Sequence, residues 1–257
     1  MDFHAVYLQR RQPGVSYRDF QRLWRSHGDF AAGIPAFWAH VHCYIHNDPV
    51  EDNRGLPGDT ANYDAVGELF YTDYATWLSL RDVMWEQVAP DEKRVFAGPS
   101  TAVRGERTVF AEPKGLFKLF TFARLAPGIA PDDLQQILGN HADLTLNTQK
   151  FGHQLRGYTL TRARRHETVS NMDARPQTAS NMDLVFIHHF ADEETARAAL
   201  CSSDYARILV SEDGIVEFDT RISLLTHAWV LKDEPARDGT PAPSPCGPAG
   251  IPARYDR

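Results

Sequence analysis

The feature that most constrains this chain is a short pattern that occurs twice in one register, each residue returning 114 positions later. Four pairs share the spacing: Pro13-Gly14 with Pro127-Gly128, His27 with His141, Asp29 with Asp143, and Tyr44 with Tyr158. A period of this length is too long for a solenoid repeat. The pattern therefore predicts that the 257 residues hold two small domains in tandem.

Charge and hydrophobicity exclude several classes of protein. The net charge is −7, and the densest basic stretch, at 162–165, is followed at once by His166 and Glu167, so we expect no nucleic-acid partner. The N-terminal segment lacks a basic region followed by an apolar one, and no run approaches the roughly 18 apolar residues of a membrane span. We therefore expect neither a signal peptide nor contact with a membrane.

The cysteines indicate the compartment. Cys43, Cys201 and Cys246 are odd in number and scattered, which argues against a disulfide framework and favours a reducing, cytoplasmic location.

The predicted elements follow the same order in both halves. In the first half the pattern predicts strands at 4–10, 38–46, 63–70 and 101–110, a helix capped by Ser16 and ending near His27 and Gly28, a loop at 47–62 and a helix at 74–88. In the second half it predicts strands at 116–124, 151–161, 184–190 and 221–231, helices at 132–141 and 192–200, and a loop at 164–181.

This order is β-α-β-β-α-β twice, which is the ferredoxin-like unit of the α+β class. We assign residues 1–112 to the first unit, 113–232 to the second, and the proline-rich segment 233–257 to a disordered tail. A ferredoxin-like sheet carries helices on one face and leaves the other bare. We therefore expect the two sheets to pack face to face, with their edges closing into a barrel inside one chain. A homodimer could still form through the outer surfaces.

Residues 12–30 carry a family resemblance. Their sequence, QPGVSYRDFQRLWRSHGDF, resembles the signature of the EthD family of the dimeric α/β-barrel superfamily, in which a Pro-Gly turn leads into a helix with Trp and a closing His. The second half is similar but has Leu138 in place of Trp24. The resemblance implies the barrel fold. It does not choose a reaction, since the superfamily includes cofactor-free monooxygenases, cyclases, isomerases, lyases and haem enzymes.

The strand at 38–46 is the richest in chemical groups. Alternation places a set of aromatic and imidazole side chains on one face, as a ligand pocket requires, and small apolar residues on the other, under the helices. The first set contains Trp38, His40, His42, Tyr44 and His46. In the second half the corresponding face keeps only Tyr158. This asymmetry predicts an active pocket in the first half and a scaffold in the second, although a solvent-exposed strand is the alternative.

His27 is the leading candidate for an acid or base, because an imidazole titrates near neutral pH. Asp29 could orient its ring. His42 is a second proton-transfer candidate, and Tyr44, with Tyr7 beside it, could donate a hydrogen bond to a developing enolate. Trp24, Trp38 and His40 are expected to wall the pocket with them. Because His141 and Tyr158 repeat this pattern, a purely structural role for His27 and Tyr44 stays open.

The spacing of the candidate ligand residues gives little support for a cofactor site. His40 and His42 share a strand face, but a third ligand from Asp64 or Glu68 would need a register that the sequence does not give. No phosphate-binding glycine loop or Cys-x-x-Cys motif is present. We therefore expect no metal and no cofactor.

These observations favour a cofactor-independent enzyme that moves a proton next to a carbonyl, in a cyclisation, isomerisation, dehydration or lyase reaction. The substrate would be a small hydrophobic molecule of aromatic or polyketide type. Two alternatives remain: a non-catalytic protein that binds a hydrophobic metabolite, and a cofactor-free monooxygenase.

Overall fold

The computed structural model describes residues 3–50, 56–57, 63–98, 100–164 and 182–233. The predicted loops at 47–62 and 164–181 lie largely outside these ranges, and the predicted tail at 233–257 lies outside them except for its first residue. Within the described residues, no helix is both long and apolar enough to cross a membrane.

The protein belongs to the α+β class. Its strands are β1 (Phe3–Gln9), β2 (Val41–Pro49), β3 (Ala65–Tyr71), β4 (Thr101–Ala111), β5 (Phe117–Leu125), β6 (Gly157–Ala163), β7 (Leu184–Phe190) and β8 (Val216–Asp233). Its helices are α1 (Tyr17–Ala32), α2 (Pro35–Trp38), α3 (Tyr74–Ser79), α4 (Arg81–Val83), α5 (Ala89–Val95), α6 (Pro131–Leu146), α7 (Glu193–Leu200) and α8 (Ser203–Glu212). A π-helical turn (Met84–Val88) leads into α5, and a 3₁₀ turn (Gly152–Gln154) precedes β6.

The eight described strands form one closed antiparallel barrel in the order β1-β3-β2-β8-β5-β7-β6-β4. The first half (residues 3–111) supplies β4-β1-β3-β2 as neighbours, and the second half (residues 117–233) supplies β8-β5-β7-β6. Two seams join the halves, β2 with β8 and β4 with β6. Closure pairs every strand on both sides, so the described sheet has no free edge.

The barrel interior combines an apolar layer with a buried polar cluster. Val6, Phe120 and Leu224 belong to the apolar layer. Beside it, Lys118 Nζ lies 2.5 Å from Glu68 Oε1, and both side chains are buried. Burial alone would raise the pKa of Glu68, but the charge of Lys118 and the hydrogen bonds that Glu68 accepts hold that pKa well below its usual range.

The cap of α1 is confirmed. Ser16 accepts a hydrogen bond from the backbone N–H of Asp19 at 3.1 Å, as an N-cap residue does. Phe20 and Trp24 recur at helical spacing and are buried against the sheet. The predicted end of this helix is wrong, because α1 continues through His27 to Ala32. His27 therefore lies inside the helix rather than at its C-terminus, so no dipole argument applies to it.

Two other predicted elements are corrected, and one helix was missed. The helix expected at 74–88 is divided into α3, α4 and the π-helical turn, and continues beyond Pro90 as α5. The strand expected from residue 151 begins only at Gly157. Helix α8 was not predicted.

Candidate active site in the first half

A narrow cavity lies between the outer face of β1, β2 and β3 and the helices that cover it. We call it the first-half cavity, and its walls include Tyr7, Trp24, His27, Tyr44, Gly67 and Glu92. Met84 and Val88 of the π-helical turn also line it. Turns of this kind are frequent at functional sites.

His27 is held in the wall by a carboxylate. Its Nδ1 lies 2.7 Å from Oδ2 of Asp91, which α5 brings to α1. The imidazole is 4% exposed, and its edge contacts the ring of Phe96 with centroids 5.6 Å apart. Among the described residues, Nε2 has no hydrogen-bond partner. The ring, which lines the cavity, is therefore fixed at Nδ1 and leaves Nε2 available.

Asp91 is suited to remain ionised beside His27. Burial would raise the pKa of its carboxyl, but hydrogen bonds from Arg94 and His27 outweigh this effect and lower it. Asp29, which the sequence analysis expected in this role, is exposed on α1 and does not bond the ring. That expectation is wrong, because two residues along a helix lie on different faces.

Tyr44 reaches the cavity from β2. Burial, together with the nearby charge of Glu92, raises the pKa of its hydroxyl. Tyr44 therefore stays protonated and can donate a hydrogen bond. Tyr7 enters from β1, and the guanidinium of Arg104 lies 5.1 Å from its ring centroid, with Nε donating to the Tyr7 hydroxyl at 3.4 Å. The two phenols place potential donors on the side of the cavity formed by the sheet.

Trp24 closes one side of the cavity. Its indole stacks on His46 with centroids 4.1 Å apart, and the Arg25 side chain donates to Nδ1 of His46 at 2.9 Å. Burial and the charge of Arg25 hold the pKa of His46 well below its usual value. This imidazole is therefore neutral where it packs against Trp24.

Glu92 shares the cavity with His27. Burial raises the pKa of its carboxyl, and nearby His27 and Arg104 only partly oppose that shift.

The corresponding space in the second half is filled. In the first half Tyr7 is paired with Gly67, and at the equivalent register of the second half Thr121 is paired with Phe186. Phe186 is buried and its ring contacts His141 at 5.4 Å between centroids. A phenyl group thus occupies the place that Gly67 leaves open.

Three predicted residues lie elsewhere. The strand expected at 38–46 begins only at Val41, so Trp38 ends α2, and His40 is exposed in the turn that follows. Trp38 still contacts Tyr44 edge to face, with centroids 6.4 Å apart. A bulge between Val41 and Cys43 breaks the alternation, and the His42 ring lies 6.4 Å from that of Phe70, away from the cavity wall.

The predicted orientation of this strand is also wrong. Tyr44 and His46 face the helices, whereas Cys43 and Ile45 pack with Phe70 toward the barrel interior. Among the residues that the structure describes, no three His, Cys, Asp or Glu side chains are arranged to hold a metal ion.

Asp91 and Glu92 were missed by sequence reasoning. The predicted helix ended at residue 88, two residues before Pro90. Proline is favoured in the first turn of a helix, and acidic residues after it are typical of such a start. The sequence Ala-Pro-Asp-Glu could therefore have indicated a helix that begins here.

Comparisons with known proteins agree on the architecture. No curated protein matches the chain significantly. An anthrone oxidase-like protein superposes with a TM-score of 0.61 at 7% identity, over 92% of this chain and 95% of that one. A Fusobacterium nucleatum protein, provisionally named a monooxygenase, superposes with a TM-score of 0.52 at 12% identity, over 90% of this chain and 93% of the other. Such low identities show a shared α/β-barrel fold and no more. In the sequence, the EthD domain matches residues 12–100, the segment that contributes α1, β2, β3 and α5 to the first-half cavity.

Proposed function

We propose that the first-half cavity is the active site of an enzyme that removes a proton from a small aromatic or polyketide-like carbon acid. The observation that carries the proposal is the 2.7 Å contact between His27 Nδ1 and Asp91 Oδ2, in a ring that lines the cavity. A carboxylate at Nδ1 fixes the tautomer in which Nε2 can accept a proton, and stabilises the imidazolium that results.

The other walls suit the same step. Tyr44 and Tyr7 can donate hydrogen bonds to the oxygen on which negative charge develops. Trp24 and Phe96 offer flat apolar surfaces for an aromatic substrate. Proton transfer of this kind needs no cofactor. The enzyme would then be an isomerase, cyclase, dehydratase or lyase.

A monooxygenase is the second candidate, because the two similar structures bear the names of an anthrone oxidase-like protein and a monooxygenase. It shares the first step. After His27 takes a proton from a CH₂ group, the carbanion can reduce O₂. The CH₂ group then becomes a carbonyl, and the two hydrogen atoms leave as water with the second oxygen atom.

Anthrone is a suitable probe, because loss of a proton from its CH₂ group places negative charge on its carbonyl oxygen. We expect the wild-type protein, in EDTA and without added cofactor, to accelerate hydrogen–deuterium exchange at that carbon in D₂O under argon, measured by mass spectrometry. His27→Gln should reduce the exchange rate constant about 100-fold or more, the usual contribution of a general base. The matched control is His141→Gln, which alters the equivalent histidine of the filled half.

Each outcome decides between the candidates. Equal losses in both variants, or no acceleration by the wild type, would contradict the proposal. Binding of anthrone without exchange would identify a binding protein instead. Consumption of O₂ in air, in step with formation of anthraquinone and lost in His27→Gln, would identify the monooxygenase.

We also propose that residues 1–112 and 113–232 are two ferredoxin-like copies of one EthD-like unit. The matching strand orders of the two halves, and the equivalent positions of His27 and His141 on their helices, support this reading.

A further inference from the structure

Glu92 is an acidic residue of the first-half cavity that does not take part in the contact between His27 and Asp91. It lies on α5 directly after Asp91, and its side chain lines the first-half cavity together with His27 and Tyr44. Among the described residues, its carboxyl makes neither a salt bridge nor a side-chain hydrogen bond. Glu92 is half-buried, and these contacts assign it no structural role.

The second half shows what a structural glutamate looks like at this place. There the residue that bonds Nδ1 of the helix histidine is Ser211, and it too is followed by a glutamate, Glu212. Glu212 is buried and forms an ion pair with Arg221, and its Oε1 lies 3.8 Å from Nε2 of His141. The filled half therefore neutralises its glutamate with a guanidinium, whereas Glu92 forms no salt bridge with any other residue that the structure describes.

The surroundings of Glu92 differ from those of its neighbour Asp91. Asp91 accepts hydrogen bonds from His27 and Arg94, which lower the pKa of its carboxyl, whereas Glu92 is half-buried in the cavity wall and desolvation raises the pKa of its carboxyl. Two adjacent carboxyl groups whose protonation is separated in this way suit different tasks: one stabilises an imidazolium, and the other can supply a proton.

We propose that Glu92 is a catalytic acid of the first-half cavity, which gives its proton to the substrate oxygen while His27 takes a proton from carbon. This inference rests on the function proposed above. The C–H bond breaks and its proton goes to Nε2 of His27. The electron pair forms a carbon–carbon double bond, and the carbonyl π pair moves to oxygen, which takes the proton of Glu92. The product is a neutral enol, left beside an imidazolium and a carboxylate, and transfer to and from water restores both groups.

The substrate class follows from this chemistry. A protonated carboxyl donates a hydrogen bond to a neutral carbonyl oxygen, and after transfer it would repel an anion. The site thus favours an uncharged ketone or phenolic tautomer over a carboxylic acid. The guanidinium of Arg104 lies near Glu92 and contacts the ring and hydroxyl of Tyr7.

The test measures anthrone exchange from pH 4 to 10 in the wild type, Glu92→Gln and His27→Gln. The wild-type profile should be bell-shaped. Glu92→Gln should lose about 100-fold in kcat together with the alkaline limb, because an amide donates a hydrogen bond but no proton. His27→Gln should lose the acidic limb. The matched control is Glu86→Gln, an exposed glutamate of the preceding π-helical turn, which should retain both limbs.

The failures of the two proposals are distinguishable. If Glu92→Gln keeps the rate and the alkaline limb while His27→Gln loses activity, the inference is overturned and the proposed function stands. If the wild type shows no exchange, both fall.

A measurement on the wild-type protein covers the case in which Glu92→Gln does not fold. With ¹³C-labelled glutamate, the Glu92 carboxyl should titrate above the ordinary glutamate pKa of 4.5, and its midpoint should move when His27 is replaced. Titration of Glu92 at that ordinary value would overturn the inference.

Discussion

His27 and His141 lie at equivalent places on their helices, but their hydrogen-bond partners differ. Nδ1 of His27 contacts a carboxylate, and Nδ1 of His141 lies 3.0 Å from the hydroxyl of Ser211. Burial, followed by the charge of Arg221, lowers the pKa of His141 to about 4. A hydroxyl cannot stabilise an imidazolium as a carboxylate does, so only the first histidine has a charged partner at Nδ1.

Replacement of Asp91 by Asn tests that partnership. Without the negative charge, the imidazolium that forms during catalysis loses its stabilisation, and Nδ1 can face an amide group in either tautomer. We expect kcat for anthrone exchange to fall about 100-fold while KM changes little. ¹⁵N NMR of the imidazole should show a mixture of tautomers where the wild type shows a single one.

The control for this variant is Asp29→Asn. Asp29 is exposed and two residues from His27, and the sequence alone favoured it as the orienting group. An unchanged rate in Asp29→Asn is expected, and a loss as large as that of Asp91→Asn would contradict the assignment.

At the scale of elements, one difference in residue type separates the first-half cavity from the equivalent, filled space of the second half. Gly67 on β3 and Phe186 on β7 occupy the same place in the register of their sheets. A Cβ added at Gly67 would meet only the Cβ of Tyr7, at 4.0 Å, so a side chain can be built there.

Gly67→Phe should therefore fill the first-half cavity in the manner of the second half. We expect anthrone exchange and anthrone binding to be lost, because the side chain extends from a Cβ position beside Tyr7 into the first-half cavity. Isothermal titration measures the binding, and differential scanning calorimetry verifies that the variant is folded. Unchanged binding would mean that substrate does not enter beside β3.

The reverse change tests the filled half. Phe186→Ala removes a fully buried ring and should destabilise the protein by roughly 3–5 kcal/mol, measured by urea unfolding. Since the first-half cavity is untouched, the rate at temperatures below the transition should be retained.

Local patterns predicted the elements better than the site. The faces of α1 and β1 could be read from Phe20, Trp24 and Val6, because the spacing of apolar residues reports burial within one element. The contact between His27 and Asp91 joins residues 64 positions apart and depends on how α5 packs on α1. No local pattern contains that information. The bulge at His42 was equally invisible, because alternation was assumed to be unbroken.

At the scale of the whole molecule, buried histidines make stability depend on pH. Burial lowers the pKa of His4 from 6.5 to about 4 and that of His189 from 6.5 to about 3, and it holds those of His46 and His188 well below 6.5. At pH 7 these rings are neutral in both the folded and unfolded states. As the pH falls below 6.5, the unfolded chain binds protons that the folded protein does not, so unfolding becomes more favourable.

We expect the free energy of unfolding to fall steadily from about pH 6.5 to pH 4, by about 3 kcal/mol for His4 alone. The contribution of His4 to this loss of stability is complete only below a pH of about 4, where His4 of the folded protein also binds a proton. Urea unfolding at half-unit pH steps measures the slope. His189→Gln should make it shallower, and a change at exposed His153 should not. A flat profile across this range would contradict the buried placement of these rings.

The closed order of strands has a consequence for synthesis of the protein. β2, which carries Tyr44, completes its pairing only with β8, which runs to residue 233. During synthesis on the ribosome, one edge of β2 stays unpaired until nearly all of the second half has emerged. Until then, the backbone N–H and C=O groups of that edge can pair with a neighbouring chain. The second half thus closes the barrel by pairing the edge strand of a first half that is synthesised before it.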